Sequence, residues 1–205
     1  VIVYDTKSES NLSRYNLELQ AHNQEEADTL IILHAIDVAK RNPFNDLVIS
    51  SPDTDVLVLL IYFYKDLCNL TRFLTRKGKN LREIDIGKVY ESLGPKHSEA
   101  LLGFYVFTGC DQIGRFNGKS KLTCWNKFLQ SDSIILDAFI LLGKDNFSEN
   151  KALVKALEKF VVDLYVLSKK CPRNISSLAD ARWILFSKYQ FDFHKLPPTE
   201  STLST

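Results

Sequence analysis

The chain contains no methionine, and its net charge is only +1 over 205 residues. A charge so near balance excludes a polybasic binder held to nucleic acid by net charge alone. No run of ~18 apolar residues occurs and no charged-then-apolar leader precedes the first strand, so neither a membrane span nor a secretory signal is expected. The four cysteines, at 68, 110, 124 and 171, include no Cys-x-x-Cys pair. The four histidines, at 22, 34, 97 and 194, include no His-x-x-x-His pair. Structural zinc therefore lacks a ligand set. The thiols are expected to be free, in a reducing intracellular compartment, nuclear or cytoplasmic. No Gly-x-Ser-x-Gly elbow surrounds Ser50 or Ser51, so serine hydrolase chemistry has no support.

The composition is 45% hydrophobic and 25% charged, enough for one substantial core. The opening Val1-Ile2-Val3-Tyr4 reads as a buried strand entered mid-stream. With no methionine before it, the chain is expected to be a fragment whose upstream sequence is missing.

Periodicity then places the elements. Gln24 to about Lys40 reads as a helix, with Ala27, Leu30, Ile31, His34, Ala35 and Val38 at three- and four-residue spacing. Asp46–Ser50 reads as a strand, and Val56 to about Tyr64 as helix or strand. Residues 75–82 read as an exposed basic loop. Helices are expected from Ile86 to before Gly94, from His97 to Phe107, over Ala152–Leu167 and over 177–190. Strands alternating with helices predict an α/β fold with a mainly parallel central sheet flanked by helices, and a helical C-terminal part. The expected division is a core over 1–125, a helical extension over 126–192 and a disordered tail over 193–205.

Gly114-Arg115-Phe116-Asn117-Gly118-Lys119-Ser120 looks like a phosphate-binding loop. That loop needs four residues between its glycines and a strand before the first. Here three residues intervene, and Thr108-Gly109-Cys110-Asp111-Gln112-Ile113 is no apolar strand. No ATP site is expected.

The acids are more informative. Asp5 ends the first strand, Glu25, Glu26 and Asp28 open the first helix, Asp53 and Asp55 follow the second strand, and Asp111 follows a helix. Singly, those at helix starts, such as Asp28 and Asp55, read as helix caps. Together they would repel one another without cations. A carboxylate set without histidine or cysteine suits Mg²⁺ or Mn²⁺. Glu25 shares a helix face with Asp28, whereas Glu26 meets Asp28 only at an irregular helix entry, and the choice stays open.

Four blocks in order carry a resemblance. They are Val1-Ile2-Val3-Tyr4-Asp5, Glu26-Ala27-Asp28, Ser51-Pro52-Asp53-Thr54-Asp55 and Thr108-Gly109-Cys110-Asp111. Together they resemble the flap endonuclease branch of the PIN-like 5′-nuclease superfamily, over residues 1 to about 125. Their wording is also similar to mobile-element-associated animal proteins. The resemblance implies a nuclease that cleaves DNA or RNA by a two-metal mechanism. Asp5, Glu26, Asp28, Asp53, Asp55 and Asp111 would hold two Mg²⁺ or Mn²⁺ ions, with Asp53, Asp55 and Asp111 catalytic. Arg115, Lys119 and Lys121 stand where the family grips duplex phosphates, without its tight glycine spelling. Arg72, Arg76 and Lys77 are further candidates for a phosphate contact. The alternative is a degenerate domain that binds nucleic acid or protein without cleaving.

Overall fold

The computed structural model describes residues 4–5, 27–42, 44, 46–76, 78, 81–109, 116–142, 150–166, 175, 177–188 and 196–199. The chain divides into two compact units, Val1–Ser98 and Glu99–Thr205. This boundary falls inside a helix, upstream of the expected one near residue 125.

The first unit holds strands β1 (Tyr4–Asp5), β2 (Asp46–Ser50), β3 (Leu70–Thr75) and β4 (Arg82–Asp85). Its helices are α1 (Ala27–Arg41), α2 (Thr54–Tyr62) and α3 (Ile86–Leu93). The strands form one sheet in the order β1-β2-β3-β4. Leu47 and Ile49 alternate inward on β2, and Thr71 and Phe73 do so on β3, the period of a half-buried strand. Ile31, Ile32, Ala35 and Ala39 of α1 and Val56, Val58, Leu60 and Ile61 of α2 are buried as well, and the two helices pack on each other. The apolar run 56–61, open between helix and strand in the sequence, is helical. Asp53 caps its start, which commits the following residues to a helix.

A mainly parallel α/β sheet is not what forms. β1 runs antiparallel to β2, β2 parallel to β3, and β3 antiparallel to β4. About two thirds of the described residues are helical. The expected parallel sheet is thus replaced by a small mixed sheet beside helices. Two local facts explain the difference. The basic stretch 75–82 contains a chain reversal, with Arg76 at φ 69° and Gly78 at φ 62°. Such a short left-handed connection returns β4 antiparallel on β3. β3 itself is hard to see because its outward positions include Arg72, which pairs across the sheet with Glu83 at 3.0 Å.

Helix α4 (Pro95–Phe107) spans the boundary between units. Gly94, at φ 80°, ends α3 by donating its N–H to the Tyr90 carbonyl, and Pro95 starts α4 where no N–H is needed. The second unit continues with α5 (Lys121–Leu129), α6 (Ser133–Leu141), α7 (Lys151–Val166) and α8 (Leu178–Lys188). Its core is aromatic. Phe104, Phe128, Phe139 and Phe160 are all buried. Phe104 stacks on Phe128 at 4.3 Å, and Phe139 meets Phe160 edge-on at 5.1 Å. Leu196 and Pro197, placed by the sequence in a disordered tail, are buried, and Arg182 of α8 donates to the Pro197 carbonyl.

Candidate functional site

The loop from β2 to α2 is built from its own side chains. Ser51 is buried, and its N–H donates to the Leu74 carbonyl at 3.1 Å, tying the loop to the end of β3. Its Oγ accepts the Asp53 N–H at 3.1 Å. Asp53 Oδ1 in turn accepts the Asp55 N–H at 3.0 Å, capping α2. Asp55 sits in the first turn of α2, and Asp28 in the first turn of α1. α1 and α2 pack together. One carboxylate oxygen from each of Asp28, Asp53 and Asp55 lies within 4.8 Å of the other two. Asp53 is exposed and the other two are half-buried.

Both helix N-termini present positive dipole ends to these acids, which eases part of their mutual repulsion. The donor set is all oxygen and carries three negative charges, which suits a hard divalent cation. Oxygens on opposite sides of one ion stand about 4 Å apart for Mg²⁺ and about 5 Å for Ca²⁺. The observed span is therefore one that a single cation bridges with little side-chain movement.

Of the six expected ligands, Asp28, Asp53 and Asp55 are brought together. Glu26 and Asp111 lie outside the described residues, as does Arg115. Asp5 belongs to β1, and only its backbone is described. It pairs with Leu47. Because β1 is antiparallel to β2, its carboxyl end points away from the end of β2 where Asp53 begins its turn. Asp5 stands level with a residue three positions, about 10 Å, before Ser50. The mainly parallel sheet expected from the sequence would end both strands at one edge, and this antiparallel pair does not. Ser51 was not among the candidates, although its hydroxyl sets the Asp53 turn. The Ser-x-Asp spacing that permits such a turn is its signal.

Lys119 and Lys121 belong to the second unit and have different surroundings. The Lys121 ammonium donates to the Gly109 carbonyl at 2.6 Å, to Thr108 Oγ1 at 3.0 Å and to the Tyr105 carbonyl at 3.3 Å. It also lies over the Tyr105 ring, 4.2 Å from its centre. It thus caps the carboxyl end of α4, where a cation is favoured. Lys119 lies 4.5 Å over the Tyr165 ring, and Tyr165 donates its hydroxyl to the Asn117 carbonyl at 3.0 Å. Burial holds the Lys119 ammonium below its usual pKa. Burial likewise raises the Cys124 thiol, and it pushes the Tyr165 phenol up to about 12.

Among the described residues, no helix is long and apolar enough to cross a membrane. Comparison of the chain with protein-family models, curated proteins and solved structures returned no match.

Proposed function

We propose that the chain is a divalent-metal-dependent nuclease that hydrolyses phosphodiester bonds of DNA or RNA, with Asp28, Asp53 and Asp55 holding Mg²⁺ or Mn²⁺. The observation that carries the reading is the convergence of three carboxylates from two helix starts, 25 residues apart in the chain at their closest. A bound hard cation supplies Lewis-acid polarisation of a phosphoryl oxygen. The chain's own part is to hold the oxygens in place. The first turns of two packed helices fix Asp28 and Asp55, and the Ser51 hydroxyl and Asp55 N–H fix Asp53. Of the lysines expected to contact phosphate, Lys121 is occupied at the end of α4. An intracellular site of action, nuclear or cytoplasmic, accompanies this reading.

The second reading is a degenerate domain of the same origin that binds without cleaving. The mixed sheet favours it, since the resemblance implies a mainly parallel one.

Thermal unfolding with millimolar Mg²⁺, Mn²⁺ or Ca²⁺ tests the site. Binding at 100 times Kd stabilises by about 2.7 kcal/mol, which is several degrees in Tm. Asp28→Asn and Asp55→Asn should each remove most of that increment. An unchanged Tm in wild type at millimolar metal would sink the site. Cleavage of flap and single-stranded substrates, with wild type and Asp55→Asn, then separates the two readings. Loss of at least about a hundredfold in rate on substitution supports the nuclease. Metal-dependent stabilisation without cleavage by either protein supports the binding domain.

A further inference from the structure

The β3–β4 hairpin shares a sheet end with the carboxylate loop. Ser50 pairs with Leu74 in the ladder, and the Ser51 N–H donates to the Leu74 carbonyl at 3.1 Å. From that joined point the two chains part. One enters the turn that carries Asp53 and Asp55, and the other runs through Thr75 into Arg76. Arg82, which starts β4, stands opposite Thr75. Arg76 and Arg82 therefore leave the same end of the ladder.

The arginines of this hairpin are not equivalent. Arg72 is neutralised by Glu83 at 3.0 Å. Arg76 and Arg82 are exposed, and among the described residues neither has a carboxylate within ion-pair distance. They stay unpaired although Asp28, Asp53 and Asp55 gather at the adjoining loop. Arg76 is also, among the described residues, the one non-glycine with positive φ, at 69°. An arginine in the left-handed region carries backbone strain that glycine would relieve. Strain kept at an exposed side chain points to a position held for what that side chain binds. Leu81, beside Arg82, is 54% exposed, and its N–H donates to the Gly78 carbonyl at 3.1 Å. Guanidinium forks match phosphate oxygens, and an apolar side chain matches the face of a base. The combination fits a nucleotide strand better than a bare anion or an acidic peptide.

We propose that Arg76 and Arg82 bind phosphates of a single nucleic-acid strand, with Leu81 against a base, and that they do so without metal. The proposal rests on the nucleic-acid reading above, in either of its two forms. Affinity for the strand and affinity for the ion then reside in separate residues of one sheet end, so each can be removed without the other.

The test measures binding of fluorescein-labelled oligo(dT) and oligo(U) by anisotropy, in EDTA and across a salt series. Each strand is about 20 nucleotides, longer than one site, and the tighter of the two names the sugar preferred. Arg76→Gly and Arg82→Ala should each weaken binding at least about threefold at low salt. Each should also make the slope of log affinity against log salt shallower by about 0.7, the value for one phosphate contact on a single strand. Arg76→Gly should keep or raise the Tm, because glycine relieves the left-handed φ. Lys155→Ala, at an exposed position on α7, should leave binding unchanged. The metal-dependent rise in Tm should survive in both arginine variants. An unchanged slope in both arginine variants, or an equal loss in Lys155→Ala, overturns the proposal and leaves the nucleic-acid reading standing. So does polyglutamate that displaces the strand as well as unlabelled oligonucleotide of equal charge. Failure of the wild type to bind either strand overturns the proposal and that reading together.

Discussion

Lys119 and Lys121 are two residues apart and chemically identical, yet the structure uses them differently. Lys121 is consumed by backbone and hydroxyl oxygens at the end of α4. Thr108, which accepts one of these bonds, is itself buried and donates to the Phe104 carbonyl at 2.8 Å. Lys121→Met should therefore destabilise the second unit by about 1–3 kcal/mol, the range for losing hydrogen bonds to a charged donor. Lys121→Arg should recover part of this. Denaturant unfolding reads both, and a Met variant as stable as wild type would show that the ammonium is replaceable by water. Neither lysine's role could be read from the Gly-Lys-Ser-Lys wording, which looks the same in a phosphate loop, a nucleic-acid grip or a helix clamp. The acids were more legible. Their positions before apolar helices are a local signal, and Asp53 does cap α2 as the bland reading has it. That reading and the metal reading hold together, because the cap uses one oxygen of Asp53 and leaves the carboxylate its other.

At the scale of elements, α4 crosses α6 at backbone contact. A Cβ on Gly103 would stand 2.0 Å from the Phe139 carbonyl oxygen. The obstacle is backbone rather than a movable side chain, so the helices must part to admit even a methyl group. Gly103→Ala should cost at least about 1–3 kcal/mol, the scale of an overpacked core, seen as a lowered Tm with loosened near-ultraviolet dichroism. A Tm within a degree of wild type would mean the crossing is looser than described. Most helices were legible from period and punctuation. Ile86–Leu93 begins at the Asp85 cap and ends at Gly94, and Lys151–Val166 carries a plain apolar stripe. The strands were less so. β3 and β4 present Arg72, Arg82 and Glu83 outward, and a polar face on a four- to six-residue strand resembles a loop.

Across the second unit, ion pairs tie α7 to its neighbours. Lys127 meets Asp163 at 2.6 Å, and Lys159 meets Asp132 at 2.6 Å. Asp132 also caps α6 through the Ile135 N–H at 3.0 Å. The hydrogen bond from Lys159, and then that cap, hold the Asp132 carboxyl below its usual pKa of 3.8. A carboxyl lowered in the folded state contributes stability above its unfolded pKa, and loses it as pH falls from there through the folded value. Asp132→Asn should therefore be less stable than wild type at neutral pH and converge with it below about pH 3.8. The gap should be modest, since the pair is largely exposed and screened by solvent. Urea midpoints at pH 7 and pH 2.5 measure it, and an equal gap at both would show that the carboxylate charge contributes nothing.

The sequence by itself determined the positions of most helices and the identity of the acids, because capping, helical period and glycine stops act over three or four residues. It could not determine strand direction. Pairing joins residues far apart in the chain, so the alternation of strands and helices read as parallel while the ladders formed a mixed sheet. Nor could it determine that Asp28 meets Asp53 and Asp55, or that one lysine is clamped and its neighbour left on a ring. Those outcomes depend on which backbone oxygens and aromatic faces the packing of helices brings within reach, and only the tertiary structure sets those distances.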